Sequence, residues 1–461
     1  MNILFVMCDT LRADYLGRYG NKWIKTPNID KLAADGTLFT NCYAEGQATL
    51  QARRAIMTGR RTFPWKDDKI IPGDHLNMQP GWQPINEEYW TLSEALRNNG
   101  FYTGFVTDVG QFFKPGMNFH RGFDTYDFIR GQMCDYVDGP LAWDTLPKEN
   151  LTASGRRKQR RVLSTKVPVD KPEEEHFAAI TYKRAGEWLN AHSCVDKTML
   201  WADTFDPHEP WTPPENYLGL YTKEELLTEP YVLSEEEECS SEDALAAMRE
   251  VYAAEVTMVD TWVGHLLDRL EESGRKDDTV VVFHSDHGLP LGHAGYGHKK
   301  GRSMYACQSR TPLIVCHPEG LGAGRKVDAL CYNMDIFPTL LELVGAPLPE
   351  DLDAKSLVPF MRGDTTPIRD CVTSGYNEWI MYRDLEWLMC QTVEGEGTIL
   401  IDLEADPDEV NNIAEGNETL VNKLRAKLEA ECGGFPDPWP VPGWPAPPEF
   451  QAKFPRIFRV I

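Results

Sequence analysis

Two uninterrupted apolar runs constrain this chain more than any other feature of it. Ile3–Met7 is apolar at every position and leads into Asp9, and Thr279–Phe283 leads into His284-Ser285-Asp286-His287-Gly288. Strands that are apolar on both faces belong inside a parallel sheet, and such a sheet needs helices above and below. The text between them supplies both kinds of element. Helical stretches are predicted at Thr26–Asp35, Leu50–Thr58, Thr91–Asn98, Glu173–Ala191, Ser241–Gly274 and Asp335–Val344, and strands at Leu38–Tyr43, Tyr102–Val106, Thr198–Phe205 and Leu313–Cys316. This alternation predicts an α/β fold with one large, mainly parallel sheet flanked by helices.

After about residue 363 the texture changes to short strands near Met381, Trp387–Gln391 and Thr398–Asp402, with one helix at Leu420–Glu431. Three parts are therefore expected: a catalytic domain over 1–363, a small C-terminal α+β subdomain over 364–432, and a Pro- and aromatic-rich tail over 433–461. The tail is expected to pack on the body or on a second copy of the chain in a homo-oligomer.

The balance of 47 basic against 71 acidic residues, a net charge of −24, argues against a general nucleic-acid or membrane-surface binder. A small anionic ester substrate stays compatible with it, because a local basic pocket can oppose the global sign. Met1–Cys8 runs straight into the first strand without a leader-like pattern, and no apolar run reaches the ~18 residues of a membrane span. The 11 cysteines are scattered without CxxC pairs. Reduced thiols in a cytoplasmic protein are the expectation.

Gly46-Gln-Ala-Thr-Leu-Gln-Ala-Arg-Arg-Ala-Ile-Met-Thr-Gly-Arg60 places Thr49 at a helix N-terminus and Arg53 one turn later on the same face, with Gly59 as the stop. Alone, this reads first as an ordinary helix cap beside a surface arginine. A helix N-terminus also favours an anion, and a hydroxyl next to a fixed positive charge suits attack on a phosphate-like or sulfate-like centre. Asp9, Asp286 and His287 fall at or just beyond the carboxyl ends of strands, where open α/β sheets bind ligands. With Thr49 they make a hard site suited to Mn²⁺, Mg²⁺, Ca²⁺ or Zn²⁺. A metal there would lower the pKa of the Thr49 hydroxyl and neutralise charge on the group under attack.

Taken together, the text resembles the sulfatase-like branch of the alkaline phosphatase superfamily. The matching segments are Asn2-Ile-Leu-Phe-Val with Asp9, Arg12-Ala-Asp14, Thr26-Pro-Asn-Ile-Asp30, Arg53 through Thr58-Gly-Arg60, Gly122-Phe-Asp124 and Asp206-Pro-His-Glu-Pro-Trp211. Ser285-Asp-His-Gly288 with Lys299, Pro312-Leu-Ile-Val315, Pro338-Thr-Leu-Leu341 and Asp402–Glu409 continue the family's order. The resemblance implies an alkaline phosphatase-like fold and a metal held by Asp9, Asp286, His287 and Thr49. It also implies catalytic roles for Thr49, Arg53, His208 and Lys299, with His208 contacting the transferred group or protonating the leaving oxygen. Near Lys299, Lys300 and His298 are alternatives, and His284 reads as packing.

The departures matter as much. Thr49 occupies the place where sulfatases carry the Cys or Ser that becomes formylglycine, Gln51 replaces the motif's proline, and Asp9-Thr10 replaces a paired Asp-Asp. Formylglycine releases sulfate by elimination, which a threonine cannot do, whereas a phospho-threonine can be hydrolysed by a second in-line attack. The reading is therefore a Thr-nucleophile hydrolase of phosphodiesters or phosphonate monoesters, like phosphonate monoester hydrolases. A sulfatase without formylglycine, a phosphotransferase and a non-catalytic anion binder are the alternatives. The absence of a histidine after His317 favours one metal, Mn²⁺ ahead of Ca²⁺, Mg²⁺ or Zn²⁺. The basic run Arg156–Arg161 reads as a solvated loop or a lid over an anionic substrate.

Overall fold

The computed structural model describes residues 1–65, 80–114, 116–132, 135, 171–222, 242–297 and 299–435. Strand β1 (Asn2–Cys8) is buried along its whole length and lies inside a nine-stranded sheet. Its neighbours β5 (Thr198–Thr204) and β6 (Thr279–Ser285) both run parallel to it. Successive side chains of a strand point to opposite faces, so β1 feeds two cores. Leu4 and Val6 join Tyr182, Met248 and Val259 on one face, while Ile3, Phe5 and Met7 join Ile56, Leu96 and Leu340 on the other. The helices Phe177–Ala191 and Glu242–Glu272 supply the first group's partners. This is why the strand tolerates no polar residue between Ile3 and Met7.

The remaining strands are β2 (Thr37–Tyr43), β3 (Tyr102–Thr107), β4 (Thr125–Phe128), β7 (Arg310–Cys316), β8 (Lys326–Val327) and β9 (Cys331–Tyr332). Their order is β4-β3-β5-β1-β6-β7-β2-β8, with β9 pairing β2. Only β7 runs against its neighbours, β6 and β2; the other pairings in the sheet are parallel. Hence β1, β2, β5 and β6 all present their carboxyl ends at one edge. The expected mainly parallel sheet with helices on both faces is what the chain forms.

A second, antiparallel sheet holds β10 (Val372–Tyr376), β11 (Trp379–Arg383), β12 (Trp387–Thr392) and β13 (Ile399–Asp402) in sequence order. The helix Glu418–Cys432 covers it, with Leu424, Leu428 and Cys432 in one core with Ile380, Tyr382, Met389 and Leu400. Strand β10 touches the main body at a telling place: Gly46 bridges Gly375, and the Gln47 N–H donates to the Gly375 carbonyl at 3.0 Å. The basic run at 156–161 and the chain beyond 435 lie outside the described residues. Among the described residues, no helix is long and apolar enough to cross a membrane, and the nine described cysteines are free thiols.

Candidate active site

The helix Thr49–Thr58 follows β2 and is buried at every position. Gly59 ends it in the left-handed region (φ 64°), donating its N–H to the Ala55 carbonyl at 2.9 Å. Thr49 is the first helical residue, since Ala48 holds the capping position. The Thr49 side chain therefore does not cap its own helix, and its hydroxyl takes no hydrogen bond among the described residues.

The register Cys8↔Ser285 brings Asp9 and Asp286, each one residue beyond its strand, side by side at the sheet edge. Asp286 Oδ1 accepts from the Thr10 N–H at 2.9 Å and the His287 N–H at 2.7 Å, and Asp9 Oδ1 accepts from the Thr10 hydroxyl at 2.6 Å. His287 Nδ1 lies 2.8 Å from the Gly288 carbonyl. A carbonyl only accepts, so Nδ1 carries the proton and the Nε2 lone pair faces the carboxylates, 3.4 Å from Asp286 Oδ2 and 3.8 Å from Asp9 Oδ1. That lone pair has no hydrogen-bond partner. Burial pushes His287 down to about 4, which keeps it the neutral ligand a cation requires. The ligating atoms of Asp9, Asp286 and His287 lie within 4.8 Å of one another, and all three residues are fully buried. A buried, unsatisfied imidazole nitrogen aimed at two carboxylates fits a divalent cation.

Gly288 makes this geometry possible. A Cβ there would stand 2.1 Å from the Cys307 carbonyl oxygen, a backbone atom that cannot step aside. We expect Gly288→Ala to displace the Asp286–His287 turn and weaken Mn²⁺ binding by on the order of 10-fold, read by calorimetry. Native affinity in that variant would show that the turn is not held by this contact.

Arg53 departs from its expected role. Its guanidinium is fully buried and faces carboxylates on every side instead of an open anion pocket. Nε and Nη2 donate to Asp203 at 2.9 and 2.8 Å, while Nη1 donates to Asp9 at 3.0 Å and makes a short contact to Asp286. Phe112 lies beneath it, 5.5 Å from ring centre to Cζ. Helix spacing put Arg53 on the Thr49 face correctly, but the partner across the interface decides what the charge does. Burial opposes the charge of Asp9, yet Arg53 holds that carboxyl well below its ordinary value, while burial and Asp9 push Asp286 up.

Lys299 enters the site. Its Nζ lies 2.8 Å from His208 Nε2 and 3.2 Å from the Thr10 hydroxyl, with Glu209 Oε2 at 3.6 Å. Lys300 is exposed, and His298 lies outside the described residues. His208 stacks on Phe205 and places Nδ1 2.6 Å from the Glu209 carbonyl, so Nδ1 carries the proton and Nε2 accepts from the lysine. His208 Nε2 is thus turned to the Lys299 ammonium. Thr10, Asp203 and Glu209 were not singled out from the sequence. Thr10 offered one cue, standing where the family has a second aspartate.

His284 packs as expected: it is fully buried, with Nδ1 2.8 Å from the Pro312 carbonyl. Burial drives its pKa down to about 3. A depressed imidazole pKa contributes stability that is complete above the unfolded value near 6.5 and is lost as pH falls towards 3. Between those limits the native protein should lose about 1.4 kcal/mol per pH unit relative to His284→Gln. Urea titrations of both proteins at pH 7 and pH 4.5 check this; parallel curves would refute it.

A buried carboxylate–imidazole triad at the carboxyl edge of an α/β sheet, with a lysine–histidine pair beside it and a hydroxyl on the adjoining helix, is the layout of a metal-dependent ester hydrolase. Comparison with known proteins makes this more specific. The chain belongs to the sulfatase family, whose model matches residues 1–346, and a second family model, the C-terminal region of N-sulphoglucosamine sulphohydrolase, matches residues 293–432. It is 25% identical to an N-acetylglucosamine-6-O-sulfatase of Bacteroides thetaiotaomicron, over 89% of this chain and 82% of the relative. Against an arylsulfatase of Clostridium perfringens the identity is 25%, over 94% of each. Among solved structures, a phosphonate monoester hydrolase of Agrobacterium radiobacter superposes with a TM-score of 0.71 at 21% identity, over 94% of this chain and 95% of that one. A protein solved with D-glucosamine-2-N,6-O-disulfate gives 0.70 at 21%, over 95% and 99%. The structural likenesses establish the alkaline phosphatase-like fold. The named relatives are sulfatases, so the preference for phosphorus over sulfur drawn from Thr49 is not supported by them. Enzymes of this family bind a divalent metal, and Asp9, Asp286 and His287 form a group that could hold one.

Proposed function

We propose that this chain is a sulfuric ester hydrolase in which Thr49 stands at the position of the modified nucleophile. What supports this reading is the sheet-edge triad with the Lys299–His208 pair beside it, and Thr49 one helical turn before the Arg53 that bonds Asp9 and Asp286, in a chain whose named relatives are sulfatases. A divalent ion held by Asp9, Asp286 and His287 would neutralise the ester's charge and favour ionisation of a nearby hydroxyl. The Thr49 hydroxyl, at the helix N-terminus, would lose its proton to solvent and attack sulfur, forming a sulfo-threonine as the ester S–O bond breaks; water attacking the same sulfur in line would then release hydrogen sulfate and restore the hydroxyl. The Lys299 ammonium, oriented by His208 and Glu209, donates the proton that the departing oxygen takes up. Thr10 ties Lys299 to Asp9, so the acid and the cation seat move as one unit.

A second reading, hydrolysis of phosphodiesters or phosphonate monoesters, draws support from Thr49 itself, because an ester on threonine must be cleared by a second in-line attack and phosphorus accepts this readily. Mn²⁺-loaded protein should be assayed side by side on aryl sulfates, aryl phosphonate monoesters, aryl phosphodiesters and aryl phosphate monoesters. Fastest turnover of the aryl sulfate supports the first reading, and a phosphorus ester turned over at least 10-fold faster would replace it with the second.

A further inference from the structure

Asp203 is the residue of this site that neither the motifs nor the triad accounts for. It projects from β5, where it pairs in register with Met7 of β1, and it is fully buried. Both of its oxygens are engaged by one face of Arg53, Oδ2 from Nε and Oδ1 from Nη2, and the Trp201 indole N–H reaches Oδ2 at 3.3 Å. Such a two-pronged pair fixes the guanidinium plane as well as its position. With two edges of the guanidinium committed to Asp203, Nη1 is left between Asp9 and Asp286, two of the three residues of the cation seat.

We infer that Asp203 is a positioning residue that cancels the charge of Arg53, keeping the Asp9–Asp286 pair available to a divalent cation and keeping the site from over-attracting highly charged anions. The count supports this. Asp203 and Arg53 sum to zero, Asp9 and Asp286 balance a divalent ion, and the Lys299 ammonium has Glu209 3.6 Å away, so loss of Asp203 adds one positive charge to a balanced site. Without Asp203, the guanidinium is an unopposed cation bonded directly to two metal-ligating carboxylates. The same unit of charge would draw more highly charged anions. The anion half of this inference rests on the proposed ester hydrolysis; the cation half does not.

The test compares native protein with Asp203→Asn by calorimetric titration of the metal-free proteins with Mn²⁺, then of the Mn²⁺-loaded proteins with inorganic sulfate and inorganic phosphate. Asp203→Asn is expected to bind Mn²⁺ on the order of 10-fold more weakly and the anions several-fold more tightly, phosphate gaining more than sulfate. Opposite signs are the signature, since a site that is merely loosened binds both more weakly. Should Asp203→Asn fail to fold, the double variant Arg53→Gln/Asp203→Asn, which removes both charges, is expected to fold in the presence of Mn²⁺ and, by competition with a chelator, to hold Mn²⁺ to within a few-fold of native affinity. Unchanged Mn²⁺ affinity in Asp203→Asn, parallel weakening of cation and anion, or weak Mn²⁺ binding by the double variant would overturn the inference. Absence of anion binding to the native protein would instead count against ester hydrolysis, while the Mn²⁺ comparison still decides the role of Asp203.

Discussion

Thr49→Ala is expected to abolish turnover, by on the order of 10³-fold or more, with Mn²⁺ content unchanged. Thr49 stands at the first position of a fully buried helix and is 3% exposed, and its hydroxyl takes no hydrogen bond among the described residues, so loss of that oxygen leaves packing nearly intact. Alanine removes the hydroxyl together with the γ-methyl group. Thr49→Ser should keep a measurable part of the rate, because it restores the oxygen without the β-branch. Intact mass after a rapid quench with substrate should show a sulfo or phosphoryl adduct on the peptide holding Thr49. Full activity in Thr49→Ala would transfer the attacking role to water and leave Thr49 as a spacer.

The second large effect concerns stability. Arg53→Met keeps most of the side-chain volume and removes the only cation that the described structure places against Asp9, Asp203 and Asp286 together. Breaking a buried ion pair from one side costs about 3–5 kcal/mol, because the remaining charge stays desolvated. In the presence of a chelator the variant should therefore melt well below the native protein or fail to fold. Saturating Mn²⁺ should narrow the gap, since an ion bound by Asp9 and Asp286 stabilises only the folded state. Differential scanning calorimetry with and without Mn²⁺ provides the comparison. Equal melting points with chelator would mean that the carboxylates are protonated and that Arg53 is not their counter-charge.

How legible these features were depended on which force placed each residue. Asp9, Asp286 and His287 could be found because each ends an apolar run, and burial of such a run dictates where its carboxyl end must lie. Lys299 was identified only through resemblance, since nothing local distinguishes it from Lys300. Asp203 stayed hidden: a single acid inside Thr198–Thr204 looks like ordinary alternation, and only the arginine across the interface turns it into a buried pair. Arg53 shows the same limit from the other side, because helical spacing fixes a face but not what faces it. Strand β10 was missed since Ser374 and Gly375 interrupt its β-forming residues Val372, Thr373 and Tyr376, and pairing with β11 holds it in place. The second sheet's contact with Gly46 and Gln47 is a product of tertiary packing, and no local pattern encodes it.

The position of β1 has a consequence for how the protein is made. Its first neighbour to be synthesised is β5, and the Thr198 N–H that bonds the Asn2 side chain is 196 residues downstream. Its other flank waits longer still, for β6. At roughly 5–20 residues per second, the most apolar strand of the chain spends tens of seconds outside the ribosome with neither edge paired. Unpaired apolar edges of that kind associate with one another. Yield in a heterologous host should therefore depend on chaperone capacity and translation rate more than on the stability of the finished fold, and the cation seat, which needs both flanks of β1, is among the last features to exist.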